Sequence, residues 1–125
     1  MFDKEKNLAN FHKEKRPWGD FLQFTEDQQT TIKILDIEPK EAISLQYHKM
    51  RDEFWYIIRG TAKIVVGEEE RTLKSGETVY IKRKTNHRII NDTDDLVAVL
   101  EISFGDFEED DEVILEDKYH RKRGI

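Results

Sequence analysis

The chain of 125 residues contains no cysteine. Disulfides, thiolate metal ligation and a cysteine nucleophile are therefore excluded. Proline occurs twice and glycine six times, so there is no flexible or proline-rich linker to divide the chain. No apolar run approaches the roughly 20 residues needed to cross a bilayer as a helix. The opening stretch MFDKEKNLANFHKEK is charged throughout and carries no apolar signal core. These absences favour a cytoplasmic protein without a membrane partner. Positive charge is in deficit, with a formal net charge of −6, which argues against general nucleic-acid binding.

What the chain does have is charge and short strands. Charged residues make up 38% and hydrophobic residues 37%, so much of the surface is ionic around a modest core. The length suits one domain spanning residues 1–125. We divide it into an amino-terminal arm (1–15), a barrel (16–104) and a carboxy-terminal arm (105–125). Residues Asp3 to Lys15 read as a short helix or arm, with Leu8, Phe11 and Phe2 covering one end of the body. Strands are expected at Asp20 to Thr25, Thr30 to Ile37, Ile43 to His48, Phe54 to Arg59, Thr61 to Val66, Glu70 to Leu73, Thr78 to Ile81, His87 to Asn91 and Val97 to Phe104. Turn signals recur about every eight to twelve residues, which favours a sandwich or barrel over βαβ units. The class is all-β.

Two blocks carry the chemistry: Gln46-x-His48-x4-Glu53-x6-Gly60 and Gly76-x10-His87-x3-Asn91. Residues two apart on a strand face the same way, so Gln46 and His48 can aim at one point, with Glu53 joining from the next strand. His87 supplies a second imidazole at the start of a later strand. Two imidazoles, a carboxylate and an amide oxygen suit one divalent transition metal, with Zn, Co, Mn, Ni and Fe(II) all chemically admissible. Glu53 stands before the apolar strand FWYII, a costly place for a carboxylate that has no partner. Gly60 and Gly76 read as hairpin glycines whatever the metal does. Asn91 reads as a turn or strand-end residue rather than a ligand, and His12 as an ordinary surface histidine.

Both blocks resemble the two cupin motifs, with Gln46 where most cupins place a first histidine. The chain is more closely similar to the type II phosphomannose isomerases, usually the carboxy-terminal cupin domain of bifunctional mannose-1-phosphate guanylyltransferase/isomerase enzymes. The matching stretches are RPWG (Arg16 to Gly19), SLQ (Ser44 to Gln46), Arg51 with Glu53 and Trp55, GTA (Gly60 to Ala62), YI (Tyr80 to Ile81), HR (His87 to Arg88) and the tail EDDEVILEDKYHR. The resemblance implies a cupin fold, a double-stranded β-helix or jelly-roll barrel. It also implies a Gln46, His48, Glu53, His87 zinc set and interconversion of mannose 6-phosphate with fructose 6-phosphate, feeding GDP-mannose and polysaccharide synthesis.

The chain departs from that pattern at His48-Lys49-Met50, where relatives have three successive histidines. Lys40, Lys82 and Lys84 replace motif glycines and proline. The nucleotidyltransferase part is missing, so no GTP site is expected.

Isomerisation needs a base to move a proton beside a carbonyl. Lys49 and Glu53 are positional candidates, although a Glu committed to metal is less available. For the phosphate of a sugar-phosphate substrate, Arg16, Arg51, Lys82, Arg83, Lys84, Arg88 and Arg121 are the candidate cations, Arg51 and Arg88 lying within or beside the metal blocks. The rival expectations are a non-catalytic cupin that binds a sugar phosphate or sugar nucleotide, and a cupin with another metal-dependent chemistry. The charged arms suggest exchange across a two-fold axis, hence a homodimer.

Overall fold

The computed structural model describes residues 4–105 and 111–116. The expectations for Phe2 and Arg121 lie outside the described residues. A one-turn helix α1 (Lys4–Asn7) precedes eleven strands: β1 (His12–Arg16), β2 (Gly19–Gln23), β3 (Thr30–Ile37), β4 (Leu45–His48), β5 (Asp52–Arg59), β6 (Thr61–Val66), β7 (Glu69–Lys74), β8 (Thr78–Ile81), β9 (His87–Ile90), β10 (Val97–Phe104) and β11 (Glu112–Glu116). Two sheets, β3-β10-β5-β8 and β11-β4-β9-β6-β7, form a sandwich, and β1-β2 make a separate hairpin. All the strand pairings are antiparallel.

Side-chain alternation explains which residues meet. The inward positions of β5 and β10 carry Trp55, Ile57, Val97 and Val99, which pack against Ala62, Ile64, Leu73 and Ile89 of the other sheet. Several intervening positions of these strands are also apolar and buried, because part of the outer face of β5 and β10 is covered as well. Phe54, Ile102 and Phe104 form a second cluster on the outer face, beneath Leu8, Phe11 and Phe24. Phe11 meets the Phe54 ring edge-on, with centroids 5.0 Å apart. The amino-terminal arm thus serves as a lid over the back of the sheet, as its Leu8 and Phe11 suggested.

The arm combines both forms. Among its described residues Lys4–Asn7 is helical, and His12–Arg16 is a strand paired with Gly19–Gln23 across the turn at Pro17 and Trp18. HKEKR shows no apolar alternation because neither face is fully buried; the backbone ladder supports it. Of the carboxy-terminal arm, the described residues Glu112–Glu116 form a strand: β11 pairs with β4, placing Glu112 opposite His48.

Gly60 links the two sheets between β5 and β6. Its φ is +87°, and an added Cβ would sit 2.7 Å from the Leu96 carbonyl oxygen. Gly60→Ala is expected to cost roughly 1–3 kcal/mol from the backbone alone, with the clash in addition. Urea unfolding monitored by tryptophan fluorescence checks this.

Candidate metal centre

His48 closes β4, Glu53 lies near the start of β5, and His87 opens β9, so three separate strands deliver one cluster. The potential ligand atoms of His48, Glu53 and His87 all lie within 4.8 Å of one another, and all three residues are buried. His48 Nε2 is 3.6 Å from Glu53 Oε2, and His87 Nε2 is 3.5 Å from Glu53 Oε1. Each ring is aimed by its other nitrogen: Nδ1 of His87 donates to the Thr85 carbonyl at 2.8 Å, and Nδ1 of His48 to the Asp111 carbonyl at 3.2 Å. That tautomer leaves both Nε2 lone pairs facing Glu53. Gln46 lies opposite His87 across the β4-β9 ladder, and its amide nitrogen donates to Ser44 Oγ at 2.7 Å.

Around this group the polar partners are specific. Ser103 Oγ donates to Glu53 Oε2 at 3.0 Å, and Arg51 Nε donates to the same oxygen at 3.0 Å. Arg51 Nη2 lies 3.3 Å from His48 Nε2. Trp55 Nε1 donates to Glu101 Oε2 at 3.0 Å. A cavity of about 420 Å³ lies against the cluster, lined by Gln46, His48, Arg51, His87 and Glu101 and by Lys33, Asp36, Glu38 and Glu112 among others.

The donor set fits a divalent transition metal. Two neutral imidazoles and a carboxylate converge, and buried Oε1 of Glu53 has no hydrogen-bond partner among the described residues. A guanidinium nitrogen occupies part of the same cationic position, so metal loading requires the Arg51 contact with His48 Nε2 to be given up.

The family model for the mannose-6-phosphate isomerase C-terminal region matches residues 3–117. The chain belongs to this family. It is 32% identical over 107 residues to the mannose-1-phosphate guanylyltransferase ManC of Salmonella typhimurium, covering 85% of this chain and 22% of that protein. It is 33% identical over 115 residues to the xanthan biosynthesis protein XanB of Xanthomonas campestris, covering 90% of this chain and 25% of that protein. The chain thus spans about a quarter of the length of these curated relatives.

Among solved structures, a double-stranded β-helix protein from Klebsiella pneumoniae aligns with a TM-score of 0.63 at 18% identity, over 74% of this chain and 75% of that one. A cupin-superfamily structure from Silicibacter pomeroyi, described as a sugar phosphate isomerase, aligns with a TM-score of 0.58 at 18% identity, over 79% and 74%. The fold is that of the cupins.

Within this family member, burial and charge tune the site. Desolvation, with Arg51 and His87 beside it, pushes His48 down to about 3 from its ordinary 6.5. Burial likewise lowers His87. The imidazoles are therefore neutral, and their contacts with Glu53 are not ion pairs. Glu101 moves the other way, raised to about 7 from 4.5 by burial and by the charge of Glu53.

Below pH 6.5 the unfolded chain takes up protons that His48 refuses down to about 3, and burial makes His87 resist protonation in the same direction. The stability that depends on their neutral forms is complete above about 6.5 and is lost as pH falls. Glu101 opposes this between 4.5 and 7, where the folded state holds the proton. With two groups against one, chelator-treated protein is expected to show a falling urea midpoint from pH 7 to pH 4. Glu101→Gln is expected to steepen the fall.

The remaining sequence candidates are distributed unevenly. Arg51 is buried against the cluster and lines the cavity. Arg88 donates to the Ile43 carbonyl at 3.1 Å and pairs with Glu116 at 2.8 Å, which turns it away from the cavity lining. Lys82 and Lys84 are exposed on the loop before β9 and do not line the cavity; Lys84 has a φ of +67° and its N–H donates to the His48 carbonyl. Arg16 pairs with Glu14 on the β1-β2 hairpin and stacks over Phe21, 5.2 Å from its centroid. The Lys49 side chain is exposed and also outside the cavity lining. Asn91 is fully buried and bonds the Ile37 and Asp95 carbonyls, a strand-end fastener.

Sequence reasoning missed Glu101. A single carboxylate inside the apolar strand VAVLEISF was the available signal, the same costly placement that drew notice to Glu53.

Proposed function

We propose that this site is the centre of a metal-dependent isomerase interconverting mannose 6-phosphate and fructose 6-phosphate, with zinc as its ion. The observation that carries the proposal is the cluster of His48, Glu53 and His87 beside a cavity that His48, His87 and Glu101 line, in a chain of the mannose-6-phosphate isomerase C-terminal family. His48, Glu53 and His87 would hold the metal, with Gln46 beside them. A bound ion supplies Lewis-acid polarisation of a sugar carbonyl and charge stabilisation for an enediolate.

The chain's own groups do the rest. Glu101, steadied by the Trp55 N–H, is the cavity carboxyl placed to take a proton and return it to the adjacent carbon. Arg51 and Lys33 are the lining cations suited to a phosphate. Asp36, Glu38 and Glu112 offer acceptors for sugar hydroxyls at the wall.

The test is isomerisation of mannose 6-phosphate, coupled to fructose 6-phosphate detection, after chelation and resupply of Zn, Co, Mn, Ni or Fe(II) separately. Metal-restored turnover supports the proposal. Turnover that survives thorough chelation overturns it. Stoichiometric metal without turnover supports a binding protein for a sugar phosphate instead. One observation favours that rival: Lys82, Lys84 and Arg88 do not line the cavity, leaving two lining cations for an anionic substrate.

We extend the proposal to a homodimer, since Ile32 and Ile34 are 54% and 60% exposed on the edge strand β3. Light scattering at micromolar concentration is expected to give about twice the 14.9 kDa chain mass.

A further inference from the structure

From the tail motif EDDEVILEDKYHR, Glu112 lines the cavity, and the residue before it reaches the metal cluster. Asp111 immediately precedes β11, the strand that pairs with β4. Its main-chain carbonyl accepts the hydrogen bond from His48 Nδ1 at 3.2 Å, across 63 positions of sequence. Its carboxylate accepts from the Lys49 N–H at 2.9 Å through one oxygen and from the Met50 N–H at 2.8 Å through the other. One residue thus grips both the imidazole and the two backbone groups that follow it.

We propose that Asp111 is a positioning residue for the metal centre, a clamp from the carboxy-terminal strand that fixes the tautomer and aim of His48. This rests on the reading of His48, Glu53 and His87 as metal ligands. The physical argument begins with the imidazole, whose two nitrogens exchange roles unless one is committed as a donor. Commitment of Nδ1 to the Asp111 carbonyl leaves the Nε2 lone pair turned toward Glu53, 3.6 Å away.

The two ligand histidines are anchored differently. His87 is held by Thr85, two residues earlier in its own segment, so its aim is set locally. His48 depends on a distant segment, which the pairing of β11 with β4 brings alongside. The carboxylate clamp on Lys49 and Met50 adds to that pairing at its end, since it ties Asp111 to the chain immediately after His48. It also holds the entry to the stretch carrying Arg51 and Glu53, where a small displacement would separate the ligands. Outer partners of metal-bound histidines typically govern affinity by about 10–100-fold.

The experiment measures zinc affinity by chelator competition on the full chain. It compares wild type, Asp111→Ala, Asp111→Asn and Glu116→Ala, with 15N NMR of the histidine ring nitrogens on the metal-free proteins. Glu116→Ala is the control: it lies on the same strand and breaks the Arg88 pair without touching the clamp. Asp111→Ala is expected to weaken zinc binding about 10-fold to 100-fold, and to move the His48 signals away from a pure Nδ1–H form. Asp111→Asn, which keeps one acceptor oxygen, is expected to fall between, and it serves as the readout should the alanine variant fail to fold. Glu116→Ala is expected to bind zinc as wild type does.

Wild-type affinity and an unchanged His48 tautomer in the Asp111 variants would overturn the inference while leaving the metal site intact. Equal losses in Glu116→Ala would overturn it too, reducing the effect to strand docking. A wild-type chain that takes up no metal removes the metal reading itself, and the clamp's proposed purpose with it.

Discussion

His87→Ala is expected to abolish stoichiometric metal binding and to lower isomerase turnover on the order of 10³-fold. The size follows from what a bound metal contributes to transition-state charge, several kcal/mol, at about 1.4 kcal/mol per decade of rate. His87 is the ligand whose loss is least easily covered. It is 2% exposed, its Nδ1 is committed to Thr85, and its ring lies edge-on to Trp55 with centroids 5.5 Å apart. No other described imidazole besides His48 lies in the cluster. Elemental analysis after dialysis, run beside the coupled assay, checks both halves of the expectation.

A second readout separates a lost ligand from a damaged core. Removing a buried neutral histidine also removes a group that resists protonation, so the urea midpoint of metal-free His87→Ala should fall less between pH 7 and pH 4 than that of wild type. A variant that lost metal only because it misfolded would not show this selective gain in acid. Full turnover with no bound metal would overturn the isomerase proposal in its metal-dependent form.

The parts of this molecule that sequence discloses are those whose cause is local. Thr30–Ile37, Thr61–Val66, Thr78–Ile81 and Val97–Phe104 are strands at the bounds read from their apolar residues and flanking turns. The strand at Asp52–Arg59 begins two residues before its first apolar side chain, because Asp52 and Glu53 are buried on partners far away in sequence. Asp52 accepts from the Tyr80 hydroxyl and the Arg83 N–H, neither of which a window around Asp52 contains. His12–Arg16 carries no apolar alternation, because an exposed hairpin needs none.

The site divides along the same line. His48, Glu53 and His87 were legible because spacing on strands fixes which way a side chain points, and the folded chain brings these three together. Spacing does not say where a long cation ends. Arg51 and Arg88 both sit beside ligands in sequence, yet one guanidinium enters the cluster and the other runs outward to Glu116. The clamp from Asp111 depends on the pairing of β11 with β4, a contact with no local signature at all.

The second large effect is expected at Glu101, a candidate for the proton carrier beside Lys49 and Glu53. Glu101 lines the cavity beside His87, whereas the Lys49 side chain is outside the lining and Glu53 is committed among two histidines, Arg51 and Ser103. Glu101→Gln keeps the shape and an acceptor for the Trp55 N–H while removing the ability to carry a proton. General acid–base groups contribute about 10²–10⁴-fold, so kcat for mannose 6-phosphate isomerisation should fall within that range. KM and zinc content should stay near those of wild type, because the substitution removes proton transfer and leaves His48, Glu53 and His87 in place. Steady-state kinetics in both directions, with metal content measured on the same samples, gives the decision. A kcat within a few-fold of wild type would remove Glu101 from the reaction, and a parallel loss of metal would make it a support for Glu53 instead. A large fall in kcat at full metal occupancy would identify the proton carrier that the three-histidine departure at His48-Lys49-Met50 left unnamed.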